Sequence, residues 1–157
     1  MPIIRARQPR TDDEEIIRLI RTELIPFSHT VSPHDAWLMR ELPRRLQRGG
    51  TLVASLTRTS PPVAFVRCEV MGETLYVDML VTHPQHRNRN WGKKLMAKCE
   101  AHGIAQQCKV VRLFVDQSND KAQKFYAKLG YAAVRYYPEL RCYEMLKPLA
   151  SPYSVNP

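Results

Sequence analysis

The sequence lacks any apolar run that approaches the about 20 residues needed to cross a membrane. It also lacks the apolar start of a secretory signal peptide, because Arg5 and Arg7 interrupt its first residues. It contains no internal repeat and no low-complexity linker. These absences exclude a membrane-spanning chain and a repeat protein, and we expect a single cytoplasmic domain.

Closely spaced cysteine pairs are missing as well. Cys68, Cys99, Cys108 and Cys142 show no CxxC spacing, and no histidine stands at metal-ligand spacing from them. The pattern therefore predicts no metal site. We expect four buried or half-buried thiols in a reducing compartment.

Acidic residues are in the minority. The chain of 157 residues carries 24 Lys and Arg against 15 Asp and Glu, a formal charge of +9. Such an excess is typical of a chain with an anionic partner, either nucleic acid or a phosphate-rich cofactor, and part of it covers solvated helix faces. Because no zinc finger, helix-turn-helix or aromatic RNA-binding signature is present, we expect no nucleic-acid partner.

Hydrophobic periodicity predicts one mixed α/β domain over residues 1–149 and a loose tail over 150–157. Strands are predicted at 3–7, 51–57, 63–70, 75–82, 110–115, 131–137 and 141–146. Helices are predicted from residue 11 to Pro26, at 35–48 with an interruption or kink at Pro43, and at 91–106 and 118–129. We therefore expect a central sheet of about seven strands, mostly antiparallel, with helices on both faces.

The first informative segment is a strand that runs into a basic turn opening a helix. A helix N-terminus presents unpaired N–H groups and a partial positive charge of roughly +0.5, which makes it an anion site. The basic side chains of the turn add full charges at the same point, so the segment predicts a diphosphate site. Its residues are Leu80, Val81 and Thr82 on the strand, then Arg87, Asn88, Arg89, Asn90, Trp91, Gly92 and Lys93.

The second informative segment is the helix predicted at 118–129. Asn119 stands at its start, where an asparagine side chain caps a helix. Ala122 and Tyr126 are four residues apart and therefore share a face. Gly130 is placed to adopt the left-handed conformation that ends a helix, and Tyr131 follows it.

Together the two segments resemble the acetyl-CoA-binding motifs of the GNAT superfamily. Its first signature, Arg/Gln-x-x-Gly-x-Gly/Ala, is matched at Arg87 and Gly92. Asn90 stands where the signature has glycine, and Asn88 where many relatives have one. Asparagine is the non-glycine residue that best tolerates positive φ. The second signature, Asn-x-x-Ala-x-x-x-Tyr-x-x-x-Gly-Phe/Tyr, is matched at every position from Asn119. The resemblance spans residues 3–149 and is strongest over 75–131.

The resemblance implies an N-acetyltransferase that moves an acetyl group from acetyl-CoA to a primary amine by direct attack in a ternary complex. It implies a sheet whose fourth and fifth strands splay apart around the pantetheine arm. The backbone of 80–82 would bind that arm, the turn of 87–93 the diphosphate, and Asn119, Ala122 and Tyr126 would line the arm. Tyr126 would be the general acid that protonates the leaving thiolate.

The base is less well defined than the acid. Asp78 is in phase with Leu80 and Thr82 on a regular strand, so we expect it to face the same side, with Tyr76 beside it. Some family members use a carboxylate on this strand as base, often through water. His29 and His34 are alternatives, because their pKa suits neutral pH.

Several alternatives remain open at this stage. The region around Phe27, His29 and His34 would shape the acceptor site, and Tyr76 and Asp78 are further candidates for binding the acceptor. The acceptor amine belongs to a small molecule or to a protein, and the sequence leaves both open. It also leaves open whether the chain forms a homodimer. The alternative function is a CoA-binding sensor or interaction module without catalysis, because the asparagines in the turn depart from the signature.

Overall fold

In the computed structural model, residues 2–27 and 36–150 are described. The tail expected from residue 150 onward lies outside them except for Ala150. The strands are β1 Ile3–Ala6, β2 Gly50–Ser55, β3 Pro62–Met71, β4 Thr74–Thr82, β5 Val110–Asp116, β6 Ala132–Tyr137 and β7 Cys142–Pro148. The helices are α1 Pro9–Leu19, α2 Ala36–Leu46, α3 Trp91–Ala105 and α4 Asp120–Lys128. A π-helical segment, Ile20–Leu24, and a 3-10 turn, Ile25–Phe27, extend α1, and a second 3-10 turn is Pro84–His86.

The strands form a single seven-stranded sheet in the order β1-β2-β3-β4-β5-β7-β6. Every neighbouring pair is antiparallel except β4 and β5, which are parallel and are joined through α3. This confirms the predicted mixed α/β sheet. The parallel pair falls between two antiparallel halves, and α3 is the crossover that a parallel connection needs.

Two hydrophobic cores lie on opposite faces of the sheet. On one face, α1 and α2 cover the sheet with fully buried side chains such as Ile16 and Leu19. On the other face, α3 and α4 pack with Leu95, Met96 and the ring of Tyr126. We call these the α1/α2 face and the α3/α4 face. Burying one Leu or Ile side chain contributes roughly 1.5–3 kcal/mol, so both layers stabilise the sheet.

The parallel pair separates soon after it starts. Thr74, Leu75 and Tyr76 on β4 pair with residues 110–112 of β5, and no pairing between these strands follows Tyr76 in the described chain. Residues 77–82 and 113–116 therefore flank a gap in the middle of the sheet. The predicted splay between the fourth and fifth strands is confirmed.

A β-bulge interrupts the alternation of β4 at Asp78. Arg67 on β3 pairs with Met79, and the next residue of β3, Cys68, pairs with Val77, so one residue of β4 has no counterpart. A bulge shifts the phase of the side chains that follow it. Val77 accordingly packs in the core of the α3/α4 face, whereas Met79 packs in that of the α1/α2 face.

Helix α2 continues through Pro43, where the sequence predicted an interruption or a kink. A proline inside a helix removes one backbone hydrogen bond and crowds the preceding turn. Leu42 and Leu46 on either side of Pro43 are nonetheless 2% exposed. The burial of this apolar face stabilises the helix despite the missing donor.

Cys68, Cys99 and Cys108 are buried and Cys142 is half-buried, all as free thiols, as expected. Among the described residues, no group of three or more His, Cys, Asp and Glu side chains could hold a metal ion. None of the described helices is long and apolar enough to cross a membrane.

Candidate active site

The turn between β4 and α3 exposes a row of backbone donors. Asn88 and Asn90 both adopt left-handed backbone conformations with φ of 63°, as the choice of asparagine predicted. Within the described chain, none of the backbone N–H groups of residues 87–93 has an acceptor, and the first bond of α3 is donated by Lys94 N to Asn90 O. Free donors around a helix N-terminus form a site for an anion.

Gly92 allows the turn, β4 and α4 to approach one another closely. A Cβ atom at this position would lie 3.1 Å from Cζ of Phe125 and 3.8 Å from Cδ2 of Leu80. The first of these distances is tighter than ordinary van der Waals contact. The glycine therefore lets the N-terminus of α3 pack against α4.

Helix α4 supplies the polar groups that face this turn. Asn119 caps the helix, since its Oδ1 accepts a hydrogen bond from Ala122 N at 3.2 Å. Tyr126 lies one turn beyond Ala122 and is 8% exposed. Its ring packs edge-on against Phe125 and Tyr131, with centroid separations of 5.1 and 5.6 Å. These contacts fix the orientation of the Tyr126 ring.

The buried environment of Tyr126 favours the protonated form of its phenol. Burial, with a smaller contribution from the Cys99 thiol, raises its pKa above the ordinary value. Its hydroxyl has no hydrogen-bond partner among the described residues. A buried tyrosine hydroxyl usually finds a partner, so this one is available to a ligand.

Two cavities meet at Tyr126. The turn cavity, about 490 Å³, lies on the α3/α4 side between residues 87–93 and α4. The gap cavity, about 360 Å³, opens toward the α1/α2 side between β4 and β5. Both are lined by Leu24, Leu80, Asn119, Ala122 and Tyr126. Two ligands could therefore approach from opposite faces of the sheet and meet beside the phenol.

The backbone of β4 adds donors and acceptors at this meeting point. His83 N donates to Val63 O at 2.8 Å, which makes that pair hydrogen-bonded across β3 and β4. Antiparallel pairs alternate between bonded and non-bonded, so Thr82, opposite Ala64, is non-bonded. The N–H and C=O groups of Leu80 and Thr82 consequently point away from β3 toward the gap.

The structure brings most of the predicted donor-binding residues together around the turn cavity. The residues that line it are Leu80, Val81, Thr82, Arg87, Asn88, Asn90, Trp91, Gly92, Lys93, Asn119, Ala122 and Tyr126. Arg89 does not line it; its Nη1 lies 3.5 Å from Nδ1 of His86.

The predicted acceptor residues are only partly brought together. Asp78 lines the gap cavity, whereas Tyr76 does not. Tyr76 instead packs edge-on against Phe114 at a centroid separation of 6.2 Å. His29 and His34 lie outside the described residues, as does the side chain of Phe27.

The expectation that Asp78 faces the same side as Leu80 and Thr82 is wrong, because the bulge intervenes. Leu80 packs toward the α3/α4 core. Asp78 turns to the α1/α2 face, where its two oxygens accept hydrogen bonds from Arg45 at 3.0 Å and Arg67 at 2.8 Å. Its side chain is 6% exposed. Periodicity alone could not reveal this, since a bulge has no reliable signature in one sequence.

Sequence reasoning missed the contribution of the segment that follows α1. Glu23 accepts a hydrogen bond from Arg87 at 2.9 Å, and both residues line the turn cavity. Leu24 lines both cavities. The π-helical turn widens the helix where these side chains leave it. No local pattern links Glu23 to a residue 64 positions further along the chain.

The comparisons with known proteins agree with this geometry. A model of the acetyltransferase (GNAT) family matches residues 15–131. None of the curated protein sequences matches the chain significantly. Ard1 of Thermoplasma volcanium has a similar structure, with a TM-score of 0.76 at 22% identity over 96% of this chain and 99% of the other.

Two further solved structures share the fold. An acetyltransferase of the GNAT family from Staphylococcus aureus has a TM-score of 0.77 at 15% identity, over 96% of this chain and all of the other, 100%. The PaiA N-acetyltransferase of Thermoplasma acidophilum, solved in complex with coenzyme A, has a TM-score of 0.74 at 17% identity, over 94% and 99%. At these identities the likeness concerns the fold.

Proposed function

Because the chain belongs to the acetyltransferase (GNAT) family, we propose that it transfers the acetyl group of acetyl-CoA to a primary amine by direct attack in a ternary complex. Family and fold together support acyl transfer from CoA in general, and acetyl-CoA is the acyl donor. The observation that carries the finer proposal is the pair of cavities that meet at Tyr126 from opposite faces of the sheet.

The residues of the turn cavity fit the donor. Unpaired N–H groups at 87–93, with Arg87 and Lys93, would hold the diphosphate. The free backbone groups of Leu80 and Thr82 would pair with the amides of the pantetheine arm, as in an added β-strand. The small side chain of Ala122 leaves room for this arm between β4 and α4.

The bound donor supplies an activated thioester. In the proposed reaction the amine nitrogen forms a bond to the acetyl carbon, the carbon–sulfur bond breaks, and the sulfur leaves as a thiolate. A backbone N–H aimed at the carbonyl oxygen would stabilise developing charge by about 2.7–4 kcal/mol. Tyr126 would give its phenolic proton to the sulfur. Burial raises the pKa of this phenol, which keeps it protonated but also makes it a weaker acid, so the transfer depends on the negative charge that builds up on the adjacent sulfur.

The proton released by the amine needs a separate acceptor. Asp78, a histidine and water stay predictions for this role. Each oxygen of Asp78 already accepts a hydrogen bond from a guanidinium, which favours a structural task for this carboxylate. We therefore propose that solvent in the gap cavity takes the proton.

Binding of the donor can be tested by thermal unfolding. At 100 times its dissociation constant, acetyl-CoA should stabilise the fold by about 2.7 kcal/mol and raise Tm by about 5–10 °C. Thiol release would then be followed with a panel of primary amines. A Tm shift without thiol release would favour the alternative, a CoA-binding sensor. No shift with either acetyl-CoA or CoA would contradict both functions.

Replacing Glu23 by glutamine should tighten CoA binding roughly 3- to 10-fold. Glutamine keeps an oxygen that can accept from Arg87, but it removes a negative charge from the wall of the turn cavity. Titration of CoA measured by calorimetry would show the change, and S-acetylpantetheine, which has no diphosphate, should bind unchanged.

The matched control for this prediction is Glu15→Gln. Glu15 pairs with Arg18 at 2.5 Å on α1 and lines neither cavity. Glu15→Gln should leave the affinity for CoA unaltered. If Glu23→Gln tightened the binding of S-acetylpantetheine as much as that of CoA, this would contradict the proposed repulsion between Glu23 and the diphosphate.

A further inference from the structure

The gap cavity has a restricted set of charges. Its described walls are mainly apolar, with Leu24 and Leu42 on the helical side and Val77 and Leu113 on the strands. Three described side chains with formal charge line it, and two of them, Asp78 and Arg45, form an ion pair. If the proposed function holds, this cavity receives the amine, so its walls determine which amines enter.

Arg67 is the buried member of an ion network that also contains Asp78, Arg45 and Glu69. Its side chain is 3% exposed. Its guanidinium donates to Arg45 O and Arg48 O, both at 3.1 Å, and to Asp78 at 2.8 Å. It also lies 3.5 Å from Glu69. Its charge is therefore used to hold Asp78 and the C-terminal end of α2.

Arg45 is the cationic member of that network that reaches the cavity. Its side chain is 42% exposed, and one contact, from Nη2 to Asp78 Oδ1 at 3.0 Å, joins it to the network. A guanidinium has five N–H donors. The remaining donors of Arg45 have no acceptor in the described part of the chain. The two guanidiniums are balanced by Asp78 and Glu69, and Arg45 is the guanidinium that presents further donors to the cavity.

The third charged residue, Asp116, stands at the end of β5, on the wall formed by the strands and α4. Its Oδ1 accepts hydrogen bonds from Ser118 N at 2.9 Å and Ser118 Oγ at 2.8 Å. Asn119 and Tyr126 line the same cavity. The cavity thus has a cationic group, Arg45, on α2 and mainly apolar surface on its other described walls.

We propose that the acceptor is a small amino acid with an apolar skeleton, whose carboxylate binds Arg45 while its amine faces Tyr126. An arginine recognises a carboxylate through paired N–H donors. The cavity, of about 360 Å³ with mainly apolar described walls, has room for an amino acid with a branched aliphatic side chain. A polyamine offers no carboxylate to Arg45, so we expect it to be a poorer acceptor than an amino acid.

Three matched amines test the proposal, namely L-leucine, L-leucinamide and 3-methylbutylamine. They share one aliphatic skeleton and differ in carrying a carboxylate, a neutral amide or neither. Thiol release from acetyl-CoA would give kcat/KM for each amine with the native chain and with Arg45→Gln. The substitution should lower kcat/KM about 10- to 100-fold for L-leucine and less than about 3-fold for 3-methylbutylamine. Comparing each amine with itself cancels differences in intrinsic nucleophilicity.

Two further variants separate recognition from folding. Arg45→Lys keeps a positive charge and should recover part of the L-leucine activity, mainly through KM. Arg44→Gln is the matched control, because Arg44 directly precedes Arg45 in α2, is 77% exposed and pairs with Glu41. It should leave all three amines unaffected.

Three results would overturn the proposal. An equal loss for all three amines in Arg45→Gln would show that Arg45 does not read the carboxylate. A preference of the native chain for L-leucinamide over L-leucine that survives Arg45→Gln would favour a peptide amino terminus instead. Thiol release with other amines but with none of these three would exclude apolar amino acids as acceptors, while the proposed acyl transfer would still hold. Absence of both thiol release and a Tm shift would instead count against the proposed function.

Discussion

Replacing Tyr126 by phenylalanine is expected to lower kcat about 10²- to 10⁴-fold, the usual contribution of a positioned acid. The dissociation constant of acetyl-CoA should change less than about 3-fold, because the ring remains and hydrophobic contact with the arm persists. Single-turnover thiol release and CoA titration would separate the two quantities. The expected split between turnover and affinity follows from the position of the hydroxyl at the junction of both cavities.

Folding should survive this change. Phenylalanine preserves the edge-on packing of the ring against Phe125 and Tyr131. The lost hydroxyl had no partner among the described residues, so its removal leaves no orphaned donor or acceptor there. We therefore expect the free energy of unfolding to stay within about 0.5 kcal/mol of the native value.

Tyr131→Phe is the matched control for Tyr126→Phe. Tyr131 is also buried and touches the Tyr126 ring, but it lines neither cavity, and its hydroxyl donates to Glu100 at 2.8 Å. The Tyr131→Phe variant should lose some stability and keep its turnover per folded molecule. If Tyr126→Phe turned over acetyl-CoA at the native rate, another group would have to be the proton donor.

Replacing Asp78 by alanine should cost about 3–5 kcal/mol of unfolding free energy. The reason is Arg67, whose side chain is 3% exposed and would lose its closest carboxylate. For a chain of this size the loss corresponds to a fall in Tm of roughly 6–20 °C. Urea unfolding followed by circular dichroism would measure it. Glu69 lies 3.5 Å from Arg67 and its side chain is 41% exposed. Glu69→Gln should therefore lower the free energy of unfolding by less than about 0.5 kcal/mol.

The double variant Asp78→Ala with Arg67→Met tests the mechanism of this loss. Removing the buried guanidinium together with its carboxylate should restore much of the stability, because no uncompensated charge remains. The measurement also bears on the base. Native stability in Asp78→Ala combined with a collapse of kcat would contradict the structural role and favour Asp78 as the general base.

Local patterns were sufficient for the architecture. The strands and helices, the parallel step through α3 and the splayed β4 and β5 follow from periodicity and from the family resemblance. The turn was predictable for a stereochemical reason: Asn88 and Asn90 stand where positive φ is required, and both adopt it. Asn119 capping α4 is equally local, because a cap involves residues three apart.

The face of Asp78 could not be predicted in this way. Strand periodicity assumes regular pairing, and the bulge between β3 and β4 depends on the register of two strands. The helix with Pro43 is a similar case, since its continuity depends on Leu42 and Leu46 finding a core to bury them. In both cases tertiary packing outweighed the local preference.

What the sequence by itself determined is the left-handed backbone at Asn88 and Asn90, the cap at Asn119 and the two motifs that face the donor, because these depend on neighbouring residues. Tertiary structure alone decided how distant charges combine. Glu23 meets Arg87, and Asp78 joins Arg45 and Arg67, across separations of 64, 33 and 11 residues. Coulombic and hydrogen-bond energies depend on distance in space, and only the folded sheet with its helices sets that distance.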